Sequence, residues 1–164
     1  MKRTPGTDAF DFLVGEWDVD MTAIPPGSSV GRRATLTVRP ILDGAALLDE
    51  IRHVDLGGQV NFRGATFRTY LPDRDLWYVL WMMANVEGCT ELEAEVVGGE
   101  VHTSGRGRDP LGELVERGRY YDIAGDAFSF ALERSNDAGK TWVRPFVAFR
   151  ATRRGAVPRR PRTA

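Results

Sequence analysis

The chain reads as an all-β protein, an antiparallel up-and-down barrel of about nine or ten strands with one short N-terminal helix. Three observations predict this. Apolar and polar residues alternate with period two along most of the 164 residues, the pattern of strands buried on one face. Turn-forming clusters such as Pro25-Pro26-Gly27-Ser28 and Pro72-Asp73-Arg74-Asp75 punctuate the alternating runs. Beyond Gly15 no run carries a helical period, so no helix is available to cover a sheet edge. Closing the sheet on itself removes the edges altogether.

Each element follows in order. Asp8 is placed to cap a helix over Ala9–Val14, with Phe10, Leu13 and Val14 on one face and Gly15 as the stop. Trp17–Ala23 alternates strictly and makes the first strand. Ala34, Leu36 and Val38 alternate with polar neighbours in the second, which Pro40 ends. Ala46–Val54, Phe62–Leu71 and Leu76–Ala84 follow. The last of these is apolar on both faces, which means that both faces are covered. Glu91–Val96 and Glu100–Ser104 form a hairpin around Gly98-Gly99, and Arg106–Gly112 reads as a loop at the barrel mouth. Leu114–Ile123, Phe128–Ser135 and Lys140–Thr152 complete the set, the final two joined by a tight turn at Asn136-Asp137-Ala138-Gly139.

Composition bounds the rest. Hydrophobic residues make up 42% of the chain and charged residues 27%, enough for one folded core and one domain, taken as residues 8–153. Of 22 basic residues only Lys2 and Lys140 are lysines. The residues 154–164 read as a basic, flexible tail, since Pro158 and Pro161 exclude helix and central strand. Arginines without interleaved aromatics predict no nucleic-acid partner. Cys89 is the single cysteine, which excludes an intrachain disulfide and a cysteine metal cluster. The start of the chain lacks the apolar stretch of a signal peptide, and no run approaches a membrane span. The expected setting is cytoplasmic, with no membrane partner.

Three motifs stand in order: Phe10-Asp11-Phe12-Leu13-Val14-Gly15-Glu16-Trp17, Ile41-Leu42-Asp43-Gly44 leading into Asp49-Glu50, and Ser135-Asn136-Asp137-Ala138-Gly139-Lys140-Thr141-Trp142. Together they resemble the bacterial DUF1579-like family, whose members look like relatives of the calycins: lipocalins, fatty-acid-binding proteins and nitrobindin-type barrels. The resemblance spans about residues 8–153 and implies a lipocalin-like barrel. It further implies that Trp17 plugs the closed end beneath the N-terminal helix, with an arginine of a late strand, Arg150 or Arg144, stacked over it. Nitrobindin-type barrels hold haem through one histidine near the C-terminal strand. This chain has only His53 and His102, neither of them there, so no cofactor is expected.

Little else points to chemistry. The two histidines lack metal-ligand spacing, so no metal is expected. Gly105-Arg106-Gly107-Arg108 lacks the ending of a phosphate loop. What remains is the barrel wall. Trp77, Trp81 and Met83 supply an adaptable apolar lining. Polar residues embedded in strands are candidates for a ligand-binding network: Arg52 beside Glu50, Arg68 beside Tyr70, Arg119 beside Tyr121, and Glu133 facing Arg144. Should they point outward, they are solvated ion pairs. The expected function is binding of a small, largely apolar organic molecule as carrier or sensor. One alternative is a cofactor-free isomerase or cyclase using Glu50 and Tyr78 as acid and base. Another is a packed homodimeric interaction protein that pairs through Leu76–Ala84.

Overall fold

The computed structural model describes residues 6–155. Ten strands run β1 (Gly15–Ala23), β2 (Arg33–Ile41), β3 (Ala46–Val54), β4 (Val60–Leu71), β5 (Leu76–Met83), β6 (Thr90–Val97), β7 (Glu100–Asp109), β8 (Gly112–Tyr121), β9 (Ala127–Ser135) and β10 (Val143–Arg153). Each pairs antiparallel with its sequence neighbours, and β1 pairs with β10, so the barrel is closed. Alternation sends Trp17, Val19 and Met21 inward from β1, and Ala34, Leu36 and Val38 inward from β2. Among the described residues no helix is long and apolar enough to cross a membrane.

The expected N-terminal helix is instead a single 3-10 turn at Asp11–Leu13, with a second such turn at Leu42–Gly44. No side chain caps the first turn, and Val14 is already extended. Gly15, at φ 133°, then swings the chain into β1. The turn still closes one end of the barrel. Phe10, Leu13 and Trp17 are essentially fully buried there, and Trp17 Nε1 donates to the Leu13 carbonyl at 2.7 Å.

An arginine does stack over Trp17, but it is Arg153, 4.2 Å from the ring centroid, rather than Arg150 or Arg144. The pairing register sets this choice, because Arg153 lies directly opposite Trp17. Its guanidinium also donates to the Val14 and Phe12 carbonyls at 2.8 and 3.2 Å. Arg150 instead reaches Ser129 Oγ at 3.0 Å, and Arg144 pairs with Glu133 across the last hairpin at 2.8 Å.

Two loop expectations are corrected. The stretch 106–112 is a continuous hairpin, with β7 running to Asp109 and β8 starting at Gly112. Its glycines mark close approach rather than a loop. A Cβ added at Gly105 would overlap the carbonyl oxygen of Glu91 on β6, and one at Gly107 that of Cys89 just before β6. Between β9 and β10 the turn widens to residues 136–142. Asp137 organises it, accepting from the hydroxyl and amide of Thr141 at 2.6 and 2.8 Å and from Ser135 Oγ at 2.7 Å. These bonds, the Thr141 hydroxyl first, hold the Asp137 carboxyl down at about 2. Of the basic tail, Arg154 is anchored by Asp18 at 2.7 Å, while residues 156–164 lie outside the described residues.

Candidate functional site

Inside the barrel lies a cavity of about 360 Å³. Its walls are apolar side chains of inward parity, among them Ile51, Val79, Trp81, Met83, Phe130 and Phe149. Opposite the closed end, Pro25, Ser28 and Val30 of the β1–β2 connection form part of the rim. Gly64 makes room for the largest wall residue, since a Cβ there would overlap the Trp81 ring. Three polar stations interrupt the apolar wall.

The first crosses the barrel near its closed end. Asp49 on β3 and Arg68 on β4 form an ion pair with both side chains 4% exposed. Asp49 also accepts the Thr66 amide at 3.0 Å, and Arg68 reaches across to Tyr120 Oη on β8 at 3.1 Å. Arg68 Nε is buried without a hydrogen-bond partner among the described residues. The Phe10 ring, 5.1 Å from the guanidinium carbon, partly compensates. Burial disfavours the Arg68 charge, yet Asp49 and Tyr120 outweigh it and the pKa is raised. Burial likewise raises the Tyr120 hydroxyl, against the pull of Arg68.

The second station sits toward the mouth. Arg134 on β9 donates to Glu116 Oε1 through Nε and Nη2 at 2.8 and 2.5 Å, and to Asp109 Oδ2 at 2.7 Å. Phe146 stacks on it at 4.0 Å. Two carboxylates thus share one guanidinium. Burial, assisted by Asp109, lifts the Glu116 pKa despite Arg134.

His53 is the third station, on β3 near the mouth and 5% exposed. Its Nδ1 lies 2.8 Å from the Gly31 carbonyl oxygen. A carbonyl only accepts, so Nδ1 carries the proton and Nε2 the lone pair. Nε2 has no protein partner among the described residues and is not enclosed, so it opens on the cavity. The Phe62 ring packs edge-on at 5.2 Å. Burial lowers the His53 pKa against the opposing Gly31 bond.

A stability effect follows from that last shift. Because the folded state holds His53 more weakly protonated than the unfolded chain, its contribution is complete above the unfolded value near 6.5. It is lost as pH falls through the lower folded value. Chemical denaturation of the wild type between pH 7.5 and 5 should therefore show a loss that His53→Phe lacks. Equal pH slopes in the two proteins would contradict the assignment.

The sequence-derived candidates divide by face. Arg68, Trp81 and Met83 line the cavity. Trp77 also points inward, but it belongs to the closed end, where Nε1 donates to the Gly6 carbonyl at 2.6 Å. Tyr70 bonds Asp75 there at 2.5 Å. Glu50 and Arg52 lie on the outer face, each side chain 56% exposed, so neither is brought to the cavity. Tyr78 also faces out, with its hydroxyl raised by partial burial and by Glu91. Arg119 stacks on Tyr121 at 4.3 Å, and Glu133 sits between Arg117 and Arg144; all are outside the barrel.

Sequence reasoning missed Glu116, Tyr120 and Arg134, and weighed His53, with Asp49 beside it on the same face, only as a ligand of metal or haem. A signal existed. Asp49 and His53 share parity with Leu47 and Ile51, while Glu116 and Tyr120 share it with Leu114. A polar residue in step with large apolar ones points inward. Among the described residues no cluster of three metal-ligating side chains occurs. Set against models of known protein families and against curated proteins, the chain matches none.

Proposed function

We propose that this protein binds a small, largely apolar organic molecule inside its barrel, as a carrier or sensor. The observation that carries this reading is the cavity of about 360 Å³, within the range of small-molecule sites. A barrel packed solely for stability would fill such a space, since unfilled volume costs free energy. The order of the three sequence motifs supports a lipocalin-like, DUF1579-like relation, in which an interior ligand is at home. The lone Cys89 fits a reducing, cytoplasmic setting.

Val79 lines the cavity at 4% exposure, and Val79→Trp projects an indole into the free space. The variant is expected to fold, with an overpacking cost of about 1–3 kcal/mol, and to lose at least ten-fold in affinity for naphthalene by equilibrium dialysis. Unchanged binding would place the ligand elsewhere.

Two further readings each have one observation in their favour. An acid–base isomerase is supported by His53 on β3 and Glu116 on β8, which line the cavity from opposite walls, the histidine's pKa lowered and the carboxyl's raised. It predicts catalysed deuterium uptake next to the carbonyl of 2-tetralone, lost in Glu116→Gln. A homodimer is supported by the outer face of β5, where Leu80 lies beside Phe67 and Leu48 in one row and Met82 is 49% exposed. Glu91 flanks this row on β6, and Arg39 flanks it on β2 at the other end. A two-fold axis along β4 would set the acidic flank of one copy against the basic flank of the other. Light scattering should then report a dimer that Leu80→Arg dissociates.

A further inference from the structure

The polar groups inside the cavity restrict what can enter it. Both guanidiniums are already committed. Arg68 is paired with Asp49, and Arg134 is shared by Glu116 and Asp109. Three carboxylates therefore face two arginines, and an anionic ligand would add a fourth negative charge to a poorly hydrated interior without a free cation to receive it. Fatty acids and aromatic carboxylates are disfavoured on this ground. A permanent cation fares little better, because the apolar walls strip its hydration while Asp109 and Glu116 are already engaged with Arg134.

Besides Arg68 Nε, which is enclosed by protein and out of a ligand's reach, His53 Nε2 lacks a partner among the described residues. His53 is 5% exposed, its ring is held by the Nδ1 bond to the Gly31 carbonyl at 2.8 Å, and Phe62 fixes it edge-on. Gly31 is tightly placed, since a Cβ there would overlap the Val54 carbonyl. The acceptor Nε2 is thus aimed by backbone on one side and an aromatic ring on the other. Around it the wall is aromatic and soft, with Phe62, Trp81 and Met83 on the same side of the mouth.

We propose that the cavity selects a neutral aromatic molecule bearing a hydroxyl, a phenol or an aryl alcohol, whose O–H donates to His53 Nε2. The inference rests on the cavity being a binding site, and it adds the chemical class and the residue that reads it. An ether or hydrocarbon of the same shape leaves Nε2 dry and unpaired, which costs roughly one hydrogen bond's worth of affinity.

Equilibrium dialysis of the full-length protein against 1-naphthol, 1-methoxynaphthalene, 1-naphthoate and 1-naphthylmethylammonium tests this. Naphthol is expected to bind about five-fold or more tighter than the methyl ether, and both charged probes more weakly than naphthol. In His53→Phe the preference for naphthol over the ether should vanish while the ether still binds. The wild-type comparison requires no variant to fold. A second readout is the nitrogen NMR spectrum of the two histidines, in which His53 Nε2 should shift on adding naphthol and His102 should not. Equal binding of naphthol and its ether would overturn the proposal while leaving the cavity reading intact. Tightest binding of either charged probe would overturn it as well. Failure of all four probes and of naphthalene to bind would remove the binding reading itself.

Discussion

Replacing Arg134 by leucine is expected to destabilise the fold by about 3–5 kcal/mol at neutral pH, because it strands two buried carboxylates. Arg134 supplies three donors to Glu116 and Asp109, whose side chains are 4% and 7% exposed. Both are buried, so the cost is that of uncompensated charge rather than of lost attraction alone. The effect carries a pH signature. Burial already raises the Glu116 pKa in the wild type despite Arg134, so its carboxyl takes up a proton more readily in the fold than in the unfolded chain. Stability from that source is present below the unfolded value and is lost as pH rises through the folded one. Without Arg134 the folded value climbs further, and the deficit of the variant should shrink as pH falls from 7.5 toward 4.5. Urea titrations at both ends of this range decide the matter. An equal deficit at both would mean that the guanidinium acts by packing under Phe146 and not by charge.

Trp17→Ala is expected to cost about 3–5 kcal/mol, the usual penalty for deleting a large buried aromatic. The indole is essentially fully buried, meets Phe128 edge-on at 4.8 Å, and carries the hydrogen bond that ties the 3-10 turn to β1. Its removal also leaves the Arg153 guanidinium without the ring beneath it. For a domain of this length the melting temperature should fall by roughly 10 °C. Arg153→Met, which keeps the indole, should cost distinctly less. A loss below about 1 kcal/mol for Trp17→Ala would show that the closed end is held by the strands alone.

Why the strands were legible and the site was not comes down to parity. Where one face is cleanly apolar, as in Trp17-Val19-Met21, alternation alone states which residues point inward. The segment Asp49-Glu50-Ile51-Arg52-His53 puts a charged or polar residue on both faces, and a slip of one position exchanges the entire set. Glu50 and Arg52 thus read as well for an interior pair as Asp49 and His53. The neighbouring Leu47 resolves the choice only when it is read together with Ile51, and Ala46 and Leu47 are both buried. Irregular register between Val143 and Val147, and between Met21 and Ala23, hides the partner of Trp17 in the same way. Glycine misled at 105–108 because it marks close backbone approach as readily as it marks a loop. The N-terminal helix failed for lack of length, with Val14 already extended before a second turn could form.

A small organic molecule held in the barrel interior should survive transfer into the gas phase with the folded protein, and so be open to a direct test. A native mass spectrum of the protein mixed with 1-naphthol, set beside a denaturing spectrum of the same sample, tests interior binding most directly. One adduct of naphthol mass is expected in the native spectrum, absent after denaturation and absent from Val79→Trp. An adduct retained equally by Val79→Trp, or a bare mass in the native spectrum of the wild type at saturating naphthol, would contradict it.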